Sequence, residues 1–286
     1  MKKLIKILAV VVCLSLVIAG MIFYGTFVSV KRVNVVYQTI QSSEIPDDCN
    51  NMKIALISDL HYGTYMDYER FSSMITTINK ANPDIILFAG DLFDNPSVNM
   101  PNEETRNDII GLLKSLEAPY GKFAVLGETD HENKTLKDML YNVFYFGDFE
   151  LLDNSNTLIR KDGGSSMNLV GIDSKIGGNP DINKAMTNLD PNNFTIVLTH
   201  APDITTDLLS LSNPDLILAG HSHGGQISIP FIGSIFKKEG ATRYNKGVYK
   251  INNTKLIVSN GLGTTDFDIR LFAPPECNVI RLTNGK

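Results

Sequence analysis

Five short apolar runs in this chain each stop at a residue able to bind a metal, and that repetition restricts the available folds more than any other feature. "KIALIS" (53–58) leads to Asp59 and His61, and "DIILFAG" (84–90) to Asp91. "KFAVLG" (122–127) leads to Glu128, "NFTIVLT" (193–199) to His200, and "DLILAG" (215–220) to His221 and His223. In open α/β sheets ligands bind beyond the carboxyl ends of the strands, so these scattered positions would converge on one pocket. Taken singly, an acid after a strand is a cap or turn residue and a histidine a hydrogen-bonded structural one. Capping does not account for so many residues that repeat one positional rule.

Between the runs lie amphipathic stretches with helical spacing. "YERFSSMITTINKANP" places Phe71, Met74, Ile75 and Ile78 on one face before Pro83 closes it, and "NEETRNDIIGLLKSLEAP" does the same with Ile109, Leu112, Leu113 and Leu116. After residue 146 the pattern turns to hairpin-like strands, "ELLDNSNTLIR" and "SMNLVGID", and the end of the chain is again rich in strands. The expected fold is α/β, with two sheets packed together between flanking helices.

The chain opens with an uncharged stretch from Ile7 to Val30, preceded by Lys2, Lys3 and Lys6 and followed by Lys31 and Arg32. That stretch exceeds both the about 20 residues needed to span a bilayer and the core of a signal peptide, and no small-x-small cleavage site follows it. It reads as a membrane anchor over residues 1–30, with 31–51 as a linker that has room for one short strand and a large domain over 52–286. The leading lysines place the N-terminus inside and the domain on the extracytoplasmic side of the cell membrane, as a single-pass protein. With 43% hydrophobic and 20% charged residues the composition is that of a globular protein, and a net charge of −5 gives no footprint for nucleic acid. Cys13, Cys49 and Cys277 have no metal-knuckle spacing. Cys49 and Cys277 are expected as unpaired thiols, a bridge between them being the alternative in an oxidising compartment.

Carboxylates mixed with imidazoles suit Mn, Fe, Co, Ni or Zn better than Ca, which prefers oxygen ligands alone. Two such ions sharing a carboxylate can bridge a hydroxide and clamp a phosphate, which points to phosphoester hydrolysis. "SDLH", "GDLFD", "LTH" and "GHSHGGQI", in this order over residues 58–227, resemble the motifs of the calcineurin-like metallophosphoesterase superfamily. The ending "SNGLGTTDFDIRLFAPPECNVIRL" (259–282) is similar to that of its membrane-associated bacterial branch. The resemblance implies a four-layer α-β-β-α sandwich and two divalent ions, with Mn the choice for assays. It puts Asp59, His61 and His223 on the first ion, Asp91 between the two, and position 128, His200 and His221 on the second. Gly224 and Gly225 would let the backbone approach the pocket, Asp94 would support by hydrogen bonds, and Arg270 would either face an anionic substrate or pair structurally. The substrate class implied is a phosphate ester or pyrophosphate attacked by a hydroxide shared between the ions, with lipid-linked phosphates among the candidates because of the anchor.

One motif departs from the pattern. Where the family has Gly-Asn-His followed by Asp or Glu, this chain reads Gly127, Glu128, Thr129, Asp130. Glu128 can still ligate through a carboxylate oxygen, and its charge would hold the ions more tightly while weakening their pull on a phosphate. Thr129 cannot replace an imidazole as general acid, a role worth about 10² to 10⁴ in rate. His131, two positions on, is the candidate relocated acid. The rival reading is a metal-binding scaffold on the same fold that has lost turnover.

Overall fold

The computed structural model describes residues 1–131 and 134–285. The chain begins with helix α1 (Lys2–Phe27) and strand β1 (Asn34–Ser42), followed by β2 (Lys53–Ile57), α2 (Tyr68–Asn79), β3 (Ile85–Phe88), α3 (Glu103–Lys114) and β4 (Lys122–Ala124). Helix α4 (Lys134–Phe146) precedes β5 (Glu150–Leu151), β6 (Ser155–Arg160), β7 (Ser166–Ile172), α5 (Ile182–Ala185), β8 (Thr195–Thr199), α6 (Thr205–Leu211) and β9 (Leu216–Ala219). The last third holds β10 (Ser228–Ile229), β11 (Gly233–Ser234), β12 (Gly247–Ile251), β13 (Thr254–Val258) and β14 (Glu276–Asn284).

Two six-stranded sheets result, ordered β1-β14-β2-β3-β4-β5 and β12-β13-β9-β8-β7-β6. Strand alternation explains how they stack, because successive side chains point to opposite faces. In β2, Ile54 and Leu56 enter the core between the sheets, where they meet Leu169, Ile196, Leu198 and Leu218, while Ala55 and Ile57 face the helices. The outer face of the first sheet is covered by α2, α3 and α4 through Phe71, Ile78, Ile109, Leu113, Leu140 and Phe144. The outer face of the second packs Val197 and Ile217 against Ala185 and Leu208 of α5 and α6. The layers are therefore α-β-β-α, as expected. Asp67 and Asn102 cap α2 and α3 by accepting from the backbone N–H three residues on.

Residues 31–51 differ from the expectation of a linker. Nine of them form β1, which pairs in parallel with β14 from Asn34↔Glu276 to Ser42↔Asn284. Only Ile40 of the strand is buried and it has no continuous apolar face, so its partner β14, and not its own pattern, holds it in the sheet. Cys49 and Cys277 are free, buried thiols. They cannot meet, since Cys49 lies in the core between the sheets and Cys277 in the core under the helices.

Candidate metal centre

Parallel strands β2, β3 and β4 run side by side in the first sheet and β8 and β9 in the second, so their carboxyl ends deliver the loops carrying Asp59, Asp91, Glu128, His200 and His221 to one place. Ligand residues themselves have left-handed backbone. Asp59, His61, Asp91, His221 and His223 all have φ between 47° and 69°. Left-handed φ at a non-glycine residue costs on the order of 1–3 kcal/mol and persists where the surroundings over-determine it, characteristically at functional sites. The loops also approach closely: a Cβ on Gly90, whose φ is 88°, would lie 2.5 Å from the backbone nitrogen of Gly127.

Six of the expected residues come together in two triads. The ligating atoms of Asp59, His61 and His223 lie within 4.8 Å of one another, those of Asp91, His200 and His221 do likewise, and all six residues are buried. Asp91 faces both groups: its Oδ2 is 3.5 Å from His61 Nε2 and 3.3 Å from His200 Nε2. That oxygen is buried and has no hydrogen-bond partner among the described residues. Its other oxygen accepts from Thr129 N at 2.9 Å and Thr129 Oγ1 at 3.1 Å. Thr129 thus fixes the Asp91 carboxylate so that one lone oxygen is left between the triads.

The donor set fits metal ions. His200 Nδ1 meets the Ala89 carbonyl at 2.6 Å, and His221 Nε2 meets the Glu239 carbonyl at 2.5 Å. Each ring therefore donates its N–H outward to a carbonyl and leaves the other nitrogen as a lone pair facing inward. Those inward nitrogens, His200 Nε2 and His221 Nδ1, are 3.0 Å apart, and His61 Nε2 and His223 Nε2 are 3.1 Å apart. The two lone pairs of His200 and His221, facing at 3.0 Å, need a cation or a proton between them. Asp59 accepts from the backbone N–H of His221 at 2.9 Å, which ties the first triad to the loop that carries the second.

The protonation energetics reflect this crowding. Burial raises the Asp91 carboxyl, but His200 and His61 outweigh burial and hold it well below the usual carboxylate range. Burial lowers His200, yet Asp91 beside it pulls that imidazole up to about 9. Burial, then the positive charge of His200, pushes His221 down to about 4, and burial together with Lys238 pushes His223 well down.

Glu128 stands at the edge of the second triad. Its Oε2 is 3.8 Å from His221 Nδ1, and the side chain is 44% exposed, so it has room to turn toward an ion. His131 lies against a different partner: its Nε2 is 2.6 Å from Asp173 Oδ1. Asp173, which follows β7, also accepts from Ser174 N and Asn179 N. Asp94 is only half-buried, and its backbone N–H bonds to the Tyr62 carbonyl.

Arg270 resolves into the structural alternative. It is fully buried and donates to the carbonyls of His223 (2.9 Å), Asn260 (2.7 Å) and Ala273 (3.1 Å), and to that of Gly263. Burial pushes the guanidinium down to about 10. Its task is to brace the His223 loop against the C-terminal segment. Arg270→Met is expected to cost about 3 kcal/mol of stability, the order of losing charged donors to buried carbonyls, read as a lowered denaturant midpoint.

Sequence reasoning passed over three residues. Asp130 is buried and its carboxylate accepts from the N–H groups of Asp91 (2.9 Å), Leu92 (3.2 Å) and Gly127 (2.8 Å), which clamps two of the ligand loops together. Asp173 obeys the same strand-end rule as the others and could have been found by it. Lys238 lines a cavity of about 420 Å³ beside His223 and lowers His61, His221 and His223 by its charge. It comes from a loop with no motif to mark it.

A sequence model of the calcineurin-like phosphoesterase family matches residues 52–225. The chain is similar to the uncharacterized metallophosphoesterase YkuE of Bacillus subtilis, with 33% identity over 91% of this chain and 88% of that protein. An uncharacterized metallophosphoesterase of Campylobacter jejuni is 31% identical over 85% of this chain, which spans 62% of that protein's length. The UDP-2,3-diacylglucosamine pyrophosphatase LpxG of Chlamydia muridarum is 26% identical over 81% of this chain and 84% of its own.

Proposed function

Because the chain belongs to the calcineurin-like phosphoesterase family, we propose that it is a phosphoesterase using two divalent ions, held by Asp59, His61 and His223 and by Asp91, His200 and His221. Asp91 Oδ2 lies between the sets, and Glu128 completes the second. The observation that carries this reading is that single buried carboxylate oxygen, without a hydrogen-bond partner among the described residues and 3.5 Å and 3.3 Å from one histidine of each triad. Bound there, divalent ions supply Lewis acidity toward a phosphoryl group. The protein's own part is to hold the carboxylates and imidazoles in place, to exclude water, and to present Lys238 to the negative oxygens of the substrate. Lys238→Ala is expected to raise KM for an aryl phosphate about tenfold with less effect on kcat, since it removes one charge contact to the substrate.

His131 is proposed as the leaving-group acid, oriented by Asp173. The expected signature of His131→Ala depends on the leaving group: about 10²-fold lower kcat on an alkyl phosphate ester, and little change on a p-nitrophenyl ester, whose leaving group needs no proton. Equal rates on both for the parent and the variant would remove His131 from the reaction.

We further read α1 as a membrane anchor, with the domain on the extracytoplasmic face. Its support is a helix of mean hydropathy 2.8 with none of its apolar window buried against the domain. An anchored site, and the diacylated compound in the name of the similar LpxG, favour a phosphate- or pyrophosphate-bearing lipid as substrate. The whole reading is tested by assaying the full-length protein in detergent, loaded with Mn²⁺, on aryl phosphate monoesters and diesters. Metal-dependent turnover supports it. Two bound ions without turnover would favour the scaffold, for which the Thr129 at the acid position speaks.

A further inference from the structure

The hairpin β10–β11 carries an apolar tip that the proposed reaction does not use. Phe231 and Ile232 at the turn are 109% and 81% exposed, and Ile229, Ile235, Phe236, Phe267 and Phe272 around them are exposed too. A contiguous patch of this kind marks an interaction surface. Its position says what covers it. Phe272 lines a surface pocket with Ile229, Phe231 and Ile232 on one side, and on the other lines a groove with Val17, Gly20, Met21 and Tyr24 of α1. The helix is docked here closely: Arg270 donates its backbone N–H to the Gly25 carbonyl at 3.1 Å, and a Cβ on Gly25 would lie 2.8 Å from Leu271 Cδ2.

At 1.5 Å rise per residue, Gly20 lies about 10 Å along the axis from the end of α1, so Phe272 reaches alongside the apolar helix and not merely its tip. Lys237, Lys238 and Lys246 line the same pockets as the apolar residues, with Asp266 and the exposed Glu239 as acids beside them. An aromatic and aliphatic tip with lysines beside it has the chemistry of a segment resting in the headgroup region of an anionic bilayer. The cavity beside His223 is also lined by Ile227, Phe236, Phe267 and Ile269, so it joins the metal centre to this same apolar surface.

We propose that the β10–β11 hairpin, with Phe267 and Phe272, is a second membrane contact that seats the metal centre on the lipid surface, so that a phosphate-bearing amphiphile enters along Phe236 and Phe267 from the bilayer. The proposal rests on reading α1 as a membrane span. The chain has no tryptophan, so single tryptophans report depth without background. Full-length Phe231→Trp, Phe23→Trp in α1, and Phe146→Trp at the end of α4 on the far sheet edge are reconstituted in vesicles of phosphatidylcholine and phosphatidylglycerol with brominated acyl chains.

Phe231→Trp is expected to lose about half its emission when the bromines lie close to the headgroups, where interfacial aromatic rings settle. Phe23→Trp should be quenched as well, and Phe146→Trp should stay bright. A quenched Phe23→Trp with an unquenched Phe231→Trp overturns the hairpin contact and leaves the anchor standing; self-association abolished by Phe231→Asp would then assign the patch to a second copy of the chain. If Phe23→Trp is not quenched, the anchor itself fails and the hairpin contact falls with it.

Discussion

Asp91→Asn should lower the bound divalent metal from two ions per chain to one or fewer and reduce phosphoesterase turnover on the order of 10³-fold, while the fold is kept. The reason is geometric. One oxygen of Asp91 is already committed to Thr129 N and Oγ1, so the amide oxygen of the variant takes that place and its NH₂ points into the space between the triads. A donor then faces His61 Nε2 and His200 Nε2, where an anion stood. Losing the charge that draws both ions together forfeits several kcal/mol of transition-state stabilisation, and each 1.4 kcal/mol is about tenfold in rate. Metal content by mass spectrometry and turnover on an aryl phosphate check this together. A variant that keeps two ions and most of its rate would remove Asp91 from its place between them.

Asp130→Ala is the second large effect expected, and it acts through the backbone. Its carboxylate is the acceptor for the N–H groups of Asp91, Leu92 and Gly127 in a site with no solvent access. Each buried N–H left unpaired costs about 1–3 kcal/mol, so the variant should lose about 4 kcal/mol of stability and hold metal poorly. Asp130→Asn should recover about half, since its single oxygen can still serve two of the three donors that Oδ2 and Oδ1 share. Denaturant midpoints of the metal-free proteins give the comparison. An unchanged midpoint for Asp130→Ala would show that the loops hold together without it.

The contrast between these two residues shows what the sequence could reveal. Asp91 follows an apolar run and obeys the rule shared by Asp59, His200 and His221, because parallel strands all present their carboxyl ends to one side. The same regularity made the four layers legible: Ile54 and Ala55 alternate faces, and the faces of α2 and α3 carry Phe71, Ile78, Ile109 and Leu113 at helical spacing. Asp130 matches the acid that ends the third motif, but the motif does not disclose its task, since its partners Asp91 and Leu92 lie on another loop and meet it only after folding. Arg270 is alike in this, surrounded by carbonyls of irregular segments. Strand β1 lacked an apolar face of its own and is defined by β14. Cys49 and Cys277 are separated by the sheet itself, which the sequence order does not disclose.

The Gly127–His131 stretch divides along the same line. Its place after β4 brings Glu128 to the edge of the second triad, as the strand-end rule expects. What the rule does not give is the use made of its neighbours: Thr129 steadies Asp91, Asp130 clamps the loops, and His131 turns to Asp173.

Two ions for phosphoester hydrolysis would be held by the six buried ligands Asp59, His61, Asp91, His200, His221 and His223. This is tested most directly by titrating the metal-free, full-length protein with Mn²⁺ while following both binding and aryl phosphate hydrolysis. The rate should stay low through the first equivalent and climb to a plateau at the second, and the His221→Ala variant should not climb. Two equivalents bound with no hydrolysis of any ester, or hydrolysis unchanged in the metal-free protein, would contradict the account.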